Sequence, residues 1–330
     1  MLLAFIGSLA LALLATELVL RVSGVTPYAP RADIANEPLV HVPDEVRGWR
    51  TSPGHYILPP YVPGAAAADV TVLPDGSRAT AATPSEAGAE VLFVGCSFTF
   101  GWAISDAETM PWRVQHDRPD LHVVNRGVNA YGTYQVLLLL EELFARGERP
   151  ARVIYGFHEV HEERNVATPR WLALLDENAH RGNVAVPYAT LDASGALVRH
   201  APERYPAWPR RGRLATVAYL ERLYADWSGA ARSAQARAVT ERSLLALRDL
   251  CARYDVPFAV VLLQASPPTA RHYASFLEQS GIPFADCVVP IPPQLRVPGE
   301  GHPNGTVHAQ WAACIEKTLL RPDVRAAAKS

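Results

Sequence analysis

Residues 90–106 read EVLFVGCSFTFGWAISD, and the way this stretch stops decides the fold. Val91, Leu92, Phe93 and Val94 run into Gly95, and Ser97 stands just beyond. A short apolar run ended by glycine predicts a buried strand turning toward a helix, with Ser97 at the strand's C-terminal end. In open α/β sheets, ligands gather at the carboxyl ends of strands, where helix N-termini offer free N–H groups to developing negative charge. Ser97 is therefore the nucleophile candidate. A serine hydroxyl needs a base. Residues 299–315 read GEGHPNGTVHAQWAACI, which places His302 just ahead of an expected helix and makes it the base candidate. Two rivals are weaker. Cys96 is a better nucleophile as thiolate, but the neighbour of the turn serine points away from it, so packing is expected. His308 falls inside the last helix, where a base is harder to aim at Ser97.

Outward from this centre, a helix is expected over about 107–116, then LHVVN as a strand, a helix over 133–147 (TYQVLLLLEELFARG) and ARVIYGF as a third strand. Strands alternating with helices imply an α/β fold with a doubly wound parallel sheet and right-handed crossovers. Residues 166–212 break the rhythm with prolines, tryptophans and an expected hairpin, VAVPYATLDASGALVRH; such an insertion is placed to cap a site and select a substrate. Two helices (about 213–228 and 232–254), the strand PFAVVLLQ, a helix near 268–280, the short strand PFADCVV and a helix from about 305 to 320 complete the catalytic unit, expected over 90–322 with a tail at 323–330.

Ahead of it, residues 2–20 are an apolar run interrupted by Glu17, long enough to span a bilayer. With no basic segment before the run and no clean small-x-small site after it, an uncleaved anchor is preferred to a signal peptide. Residues 1–24 are thus taken as anchor. Arg21 and Arg31 follow the span, a count that by itself favours a cytoplasmic body. Residues 25–89 form a Pro-, Ala- and Gly-rich extension in which Pro74-Asp75-Gly76 predicts a hairpin over 68–80. Trp49, His55 and Tyr56 are expected to pack there more than to line a cleft.

The chain has 330 residues, 49% apolar and 19% charged, with a formal net charge of −2, the composition of a globular protein with a sizeable core. Basic residues are spread without a run, so nucleic acid is not an expected partner. The four cysteines, Cys96, Cys251, Cys287 and Cys314, lack metal-ligand spacing. A disulfide stays open without a pairing. His158 and His161 form H-x-x-H, not the i, i+4 pair of H-E-x-x-H, so no metal or other cofactor is expected.

Three segments together, residues 90–106, NRGVNAYGTYQ (125–135) and GEGHPNG, resemble the blocks of the SGNH/GDSL hydrolase family over about residues 45–320. The family's first block is G-D-S, its second an N-x-G-x-x-G type turn, and its last D-x-H-P-N or D-x-x-H-P-N. Here Cys96 replaces the aspartate, Ala130 replaces the second-block glycine, the third-block asparagine is missing and Glu300 stands for the acid. The resemblance implies a Ser97-His302-Glu300 acyl hydrolase, with Asp286 as fallback acid. It implies an oxyanion hole from the N–H groups of Ser97 and Ala130 and a third donor after the third strand, for which His161 is chosen ahead of His158. It also implies an ester of a carbohydrate or small metabolite as substrate, and an extracytoplasmic body, since anchored relatives commonly work on envelope or secreted glycans. Two further readings stay open, an O-acyltransferase with the same machinery and a glycan-binding protein that keeps the fold without catalysis. The oligomeric state is left open.

Overall fold

The computed structural model describes residues 2–30, 37–83, 87–178 and 184–320, so the expected tail at 323–330 lies outside the described residues. The N-terminal part holds α1 (Leu2–Val22) and the strands β1 (His41–Asp44), β2 (Gly48–Thr51), β3 (Gly54–Leu58) and β4 (Ala68–Val72). Next come β5 (Ala89–Gly95), α2 (Ser97–Phe100), α3 (Met110–Asp117), β6 (Leu121–Gly127), α4 (Thr133–Ala145) and β7 (Arg152–His158). After them come α5 (His161–Asn165), α6 (Pro169–Glu177), β8 (Val186–Leu191), β9 (Leu197–Glu203), α7 (Ala215–Ser233) and α8 (Ala236–Arg253). The chain closes with β10 (Phe258–Gln264), α9 (Pro267–Gln279), β11 (Phe284–Asp286) and α10 (Gly305–Thr318).

Five strands make one parallel sheet in the order β6-β5-β7-β10-β11. Counted along the chain this is 2-1-3-4-5, the flavodoxin-like order, and the direction of winding reverses between β5 and β7. The fold is thus α/β and doubly wound, as the alternation predicted. Side chains alternate across each strand. Leu92 and Val94 of β5 face one core with α4, α8 and α9, whereas Val91 and Phe93 face the other with α3 and α10. Because both faces are covered, the inner strands β5, β7 and β10 are buried along most of their length. The crevice at the reversal is where β5 delivers Ser97.

The extension differs from the expected hairpin over 68–80. β4 pairs antiparallel with β3, from Gly54↔Val72 to Leu58↔Ala68. The Pro74-Asp75-Gly76 turn does form, with Leu73 N–H donating to Ser77 O at 2.8 Å. Beyond it the hairpin is reduced to an isolated Val72↔Arg78 bridge, with Ala79 N–H donating to Thr71 O at 2.9 Å, and Arg78 on its other side donates its N–H to Asn125 O on the outer edge of β6. The segment around Arg78 thus bridges β4 and the edge of β6, covering part of an otherwise open edge.

The Arg78 side chain then crosses to the loop beyond α2. Fully buried, it donates from Nε to Asp106 Oδ1 (2.8 Å), from Nη1 to the carbonyls of Phe100 (3.0 Å) and Gly101, and from Nη2 to Ile104 O (2.7 Å). It therefore ties the extension to the loop that follows Ser97. Removing one partner of a buried ion pair strands the other, at about 3–5 kcal/mol. Arg78→Met is expected to lower the unfolding free energy by about that amount in urea titration, and a loss below about 1 kcal/mol would contradict this role for Arg78.

Cys287, just past β11, and Cys314 of α10 form a disulfide with Cα atoms 5.9 Å apart. Cys96 and Cys251 are free and buried. In the insertion, β8 and β9 form the expected hairpin, but it packs on α4 and α8. Of the insertion, α6 and the turn after it reach the crevice.

Candidate active site

The turn after β5 is built by close packing. Gly95 has φ 154°, and a Cβ there would lie 2.3 Å from Thr99 Oγ1 and 2.9 Å from Gly156 O, so no side chain fits. This lets α2 start at once, with Ser97 as its first residue and its hydroxyl at the mouth of the crevice. Ser97 Oγ lies 2.9 Å from His302 Nε2. His302 sits in a loop pinned by Val297 N–H donating to His302 O at 2.7 Å. Gly299 (φ 80°) and Gly301 (φ 99°) flank Glu300 in left-handed conformations that L side chains rarely adopt. The chain thereby folds back on itself. The Glu300 carboxylate accepts both His302 N–H (2.7 Å) and His302 Nδ1–H (2.7 Å). A carboxylate only accepts, so it holds the proton on Nδ1 and leaves Nε2 free to accept from the Ser97 hydroxyl. Glutamate thus serves the short E-x-H spacing by reaching back across one residue. Phe98 backs the assembly, its ring 5.7 Å from that of His302 and 5.6 Å from that of Trp311.

No protein-family model matches the chain, and no curated protein matches it by sequence. Among solved structures it is similar to TesA, at 13% identity over 70% of this chain and 98% of that one, with a TM-score of 0.41. It is similar to the psychrotrophic esterase EstA from Pseudoalteromonas sp. (11% identity, 70% of this chain, 99% of that one, TM-score 0.39). The acetyl-xylooligosaccharide esterase Axe2 from Geobacillus is another (14% identity, 72% of this chain, 96% of that one, TM-score 0.39). A protein of the G-D-S-L family from Desulfitobacterium hafniense is a further one (12% identity, 70% of this chain, 100% of that one, TM-score 0.39). The chemistry of the site is read from its own residues.

A cavity of about 270 Å³ opens at Ser97 and His302, lined also by Tyr61, Trp102, Asn129, Ala130 and Arg164. Ala130, at the position of the family's glycine, takes φ 69°, a left-handed conformation that costs an alanine about 1–2 kcal/mol. Trp49 does not line the cavity; its Nε1–H donates to Asn129 O at 2.8 Å and so holds this turn in place from β2.

His161 is not where the oxyanion assignment requires it. It opens α5, is completely buried, and its Nδ1 lies 2.6 Å from the Tyr155 hydroxyl, on the core side of the sheet with Phe157. Within α5 it is Arg164 that lines the cavity, while His161 is turned onto Tyr155 and Phe157. His158 lies nearer, with its ring 4.6 Å from Phe98, but its Nδ1 accepts Val160 N–H (3.2 Å) and it does not line the cavity. The residue missed was Asn129. It is only 4% exposed, lines the cavity beside Ala130, and neither amide atom has a hydrogen-bond partner among the described residues. A buried amide left unpaired costs about 1–3 kcal/mol, and each one in a native fold calls for an explanation. The only signal was its place in the second block next to Ala130.

Cys96, the rival nucleophile, is fully buried, as expected, and touches the Arg164 guanidinium. His308 accepts Met110 N–H at Nδ1 (3.1 Å), at the start of α3. Asp286 accepts Val288 N–H (3.2 Å) at the end of β11 and is not beside His302.

Burial, helped by Arg164 and His302, pushes His158 down to about 3, and burial with Arg78 does the same to His308. Both rings are therefore neutral in the folded protein. Below about pH 6.5 the unfolded chain takes up protons that the folded one refuses, so their contribution is intact above that pH and shrinks as pH falls toward 3. Each histidine adds a slope of up to about 1.4 kcal/mol per pH unit. Urea titrations at pH 7, 6 and 5 are expected to show stability dropping with acid, and His308→Asn is expected to flatten the slope. An unchanged stability from pH 7 to 5 would contradict it.

Proposed function

We propose that this protein is a serine acyl-ester hydrolase in which Ser97 is the nucleophile, His302 the general base and Glu300 the orienting acid. The observation that carries this reading is the continuous chain from Ser97 Oγ to His302 Nε2 (2.9 Å) and from His302 Nδ1 to Glu300 (2.7 Å) at the switch point of the sheet. Ser97 attacks the ester carbonyl as its proton passes to His302 Nε2, and Glu300 stabilises the imidazolium that forms. His302 then protonates the departing alcohol, leaving an acyl-Ser97. Water deprotonated by the same ring releases the acid.

The developing oxyanion is received by the N–H groups of Ser97 and Ala130 and by Asn129 Nδ2, which gains the partner it otherwise lacks. Asn129→Ala is expected to lower kcat about 10²–10³-fold with KM little changed, the usual cost of one oxyanion donor. His161→Ala is expected to stay within about threefold of wild type, under 1 kcal/mol of transition-state stabilisation. The reverse ranking would return the role to His161.

The cavity suits a short acyl group. Trp102, Trp171 and Tyr61 supply ring faces, and Asn178 and Arg164 polar groups, a mixture that fits a carbohydrate or small polar metabolite carrying the ester. A groove of about 810 Å³ sharing Arg164, Trp171 and Leu174 with the cavity would receive the remainder of the substrate. The helix Ala4–Val22 is long and apolar enough to cross a membrane and is not buried in the body. An extracytoplasmic body is supported by the Cys287–Cys314 disulfide, since such bonds persist in oxidising compartments. Turnover of aryl acetates and of O-acetylated sugars by the full-length protein in detergent tests the reading. Hydrolysis that is lost in Ser97→Ala is expected; a folded protein inert on every ester would overturn it.

A further inference from the structure

We propose that α7 lies in the membrane interface, with the face formed by Leu220, Leu223, Tyr224 and Trp227 sunk into the headgroup region, so that the body is laid on the bilayer in one orientation rather than swinging from a tether. Two stripes run along α7. Glu221, Ala225 and Gly229 are buried at the i, i+4 spacing of a packed helix, and Ala215 is buried at its start. Leu220, Leu223, Tyr224 and Trp227 also follow helical spacing, yet they are exposed, Trp227 to 76%. Four large apolar side chains on one exposed stripe are unusual for a surface in water, whereas leucine beside tyrosine and tryptophan is what helices at the headgroup boundary carry.

The occupant is named by α1. Its Glu17, the one acid in the apolar run, reaches the first turn of α7: Oε1 accepts Ala215 N–H (2.9 Å), and Oε2 accepts Thr216 N–H and Oγ1–H (both 2.8 Å). Leu214, at the N-cap, has no side chain to do this, so Glu17 satisfies the donors that every helix start leaves open. Arg21 clasps the same corner, pairing with Glu17 at 2.6 Å and donating to Arg213 O at 2.8 Å. Tyr28, beyond the end of α1, is held as well. Arg211 stacks on Tyr28, 3.7 Å from the ring centroid, and pairs with Asp176 (2.6 Å). Glu17 stands five residues before the end of α1 at Val22, about 7–8 Å along a helix axis. If α1 spans, the start of α7 is therefore held at or below the headgroups, and the exposed stripe begins one turn later.

The test uses the full chain in nanodiscs of phosphatidylcholine and phosphatidylglycerol. Nitroxide labels are placed singly by Leu223→Cys and Trp227→Cys on the stripe, and by Asp226→Cys on the flank; native Cys96 and Cys251 are buried. Labels at 223 and 227 are expected to be reached by oxygen and shielded from a water-soluble nickel chelate, at a depth of about 5–10 Å, while 226 stays open to the chelate. Should a labelled variant misfold, quenching by brominated lipid is read instead, and is expected to weaken in Trp227→Phe. Equal chelate access at 223, 227 and 226, with no lipid quenching assigned to Trp227, would overturn the proposal. So would spin–spin distances showing that a second copy of the chain covers the stripe.

Discussion

Ser97→Ala and His302→Ala are each expected to lower kcat by about 10⁶-fold on an activated ester, with the double variant no more than a few-fold worse than either. The hydroxyl and the imidazole form one functional unit, joined at 2.9 Å. Either half alone delivers no activated oxygen, so the losses do not add. What remains, about 10³–10⁴ above the uncatalysed rate, would belong to binding and the oxyanion donors. Neither change should unfold the protein, because both side chains border a cavity rather than fill a core. The measurement is single-turnover and steady-state kinetics of the four proteins in detergent. Losses that add in the double variant would separate the two residues mechanistically.

The second large effect is at Glu300. Glu300→Gln is expected to cost about 10⁴-fold in kcat while KM changes little. The carboxylate accepts from both the backbone N–H and Nδ1–H of His302. A carboxamide can turn its NH₂ toward Nδ1, which moves the ring proton to Nε2, where it faces the Ser97 hydroxyl instead of accepting from it. Glu300→Asp keeps the charge but shortens the reach across the tight loop, and is expected to fall between wild type and Glu300→Gln. Equal activity in wild type and Glu300→Gln would show that another group orients the ring.

The parts of this protein that were legible in the sequence are those encoded locally. The run Val91–Val94 ending at Gly95 located the central strand, and the alternation of later strands and helices fixed a parallel sheet, since both depend on neighbouring residues. Ser97, His302 and Glu300 were readable as motif fragments, and the fold brings them together although 205 residues separate Ser97 from His302. What was not legible depended on long-range competition. The Pro74-Asp75-Gly76 turn was correct, but nothing nearby says that β4 takes β3 as its main partner, or that Arg78 bridges the edge of β6 as well as β4. Cys287 and Cys314 could be paired only once β11 and α10 were in place. His161 failed for a similar reason. Its distance from Phe157 along the chain looked right for an oxyanion donor, but the start of α5 at that residue turned it toward Tyr155. Asn129 was overlooked because its unpaired amide is visible only in three dimensions.

The most direct test of Ser97 as nucleophile is covalent capture. The full-length protein is treated with a fluorophosphonate at neutral pH, digested, and mapped by mass spectrometry. The expected result is one adduct, on the Ser97 hydroxyl, absent from Ser97→Ala and strongly slowed in His302→Ala. Labelling elsewhere, or equal labelling of Ser97→Ala and wild type, would contradict the assignment.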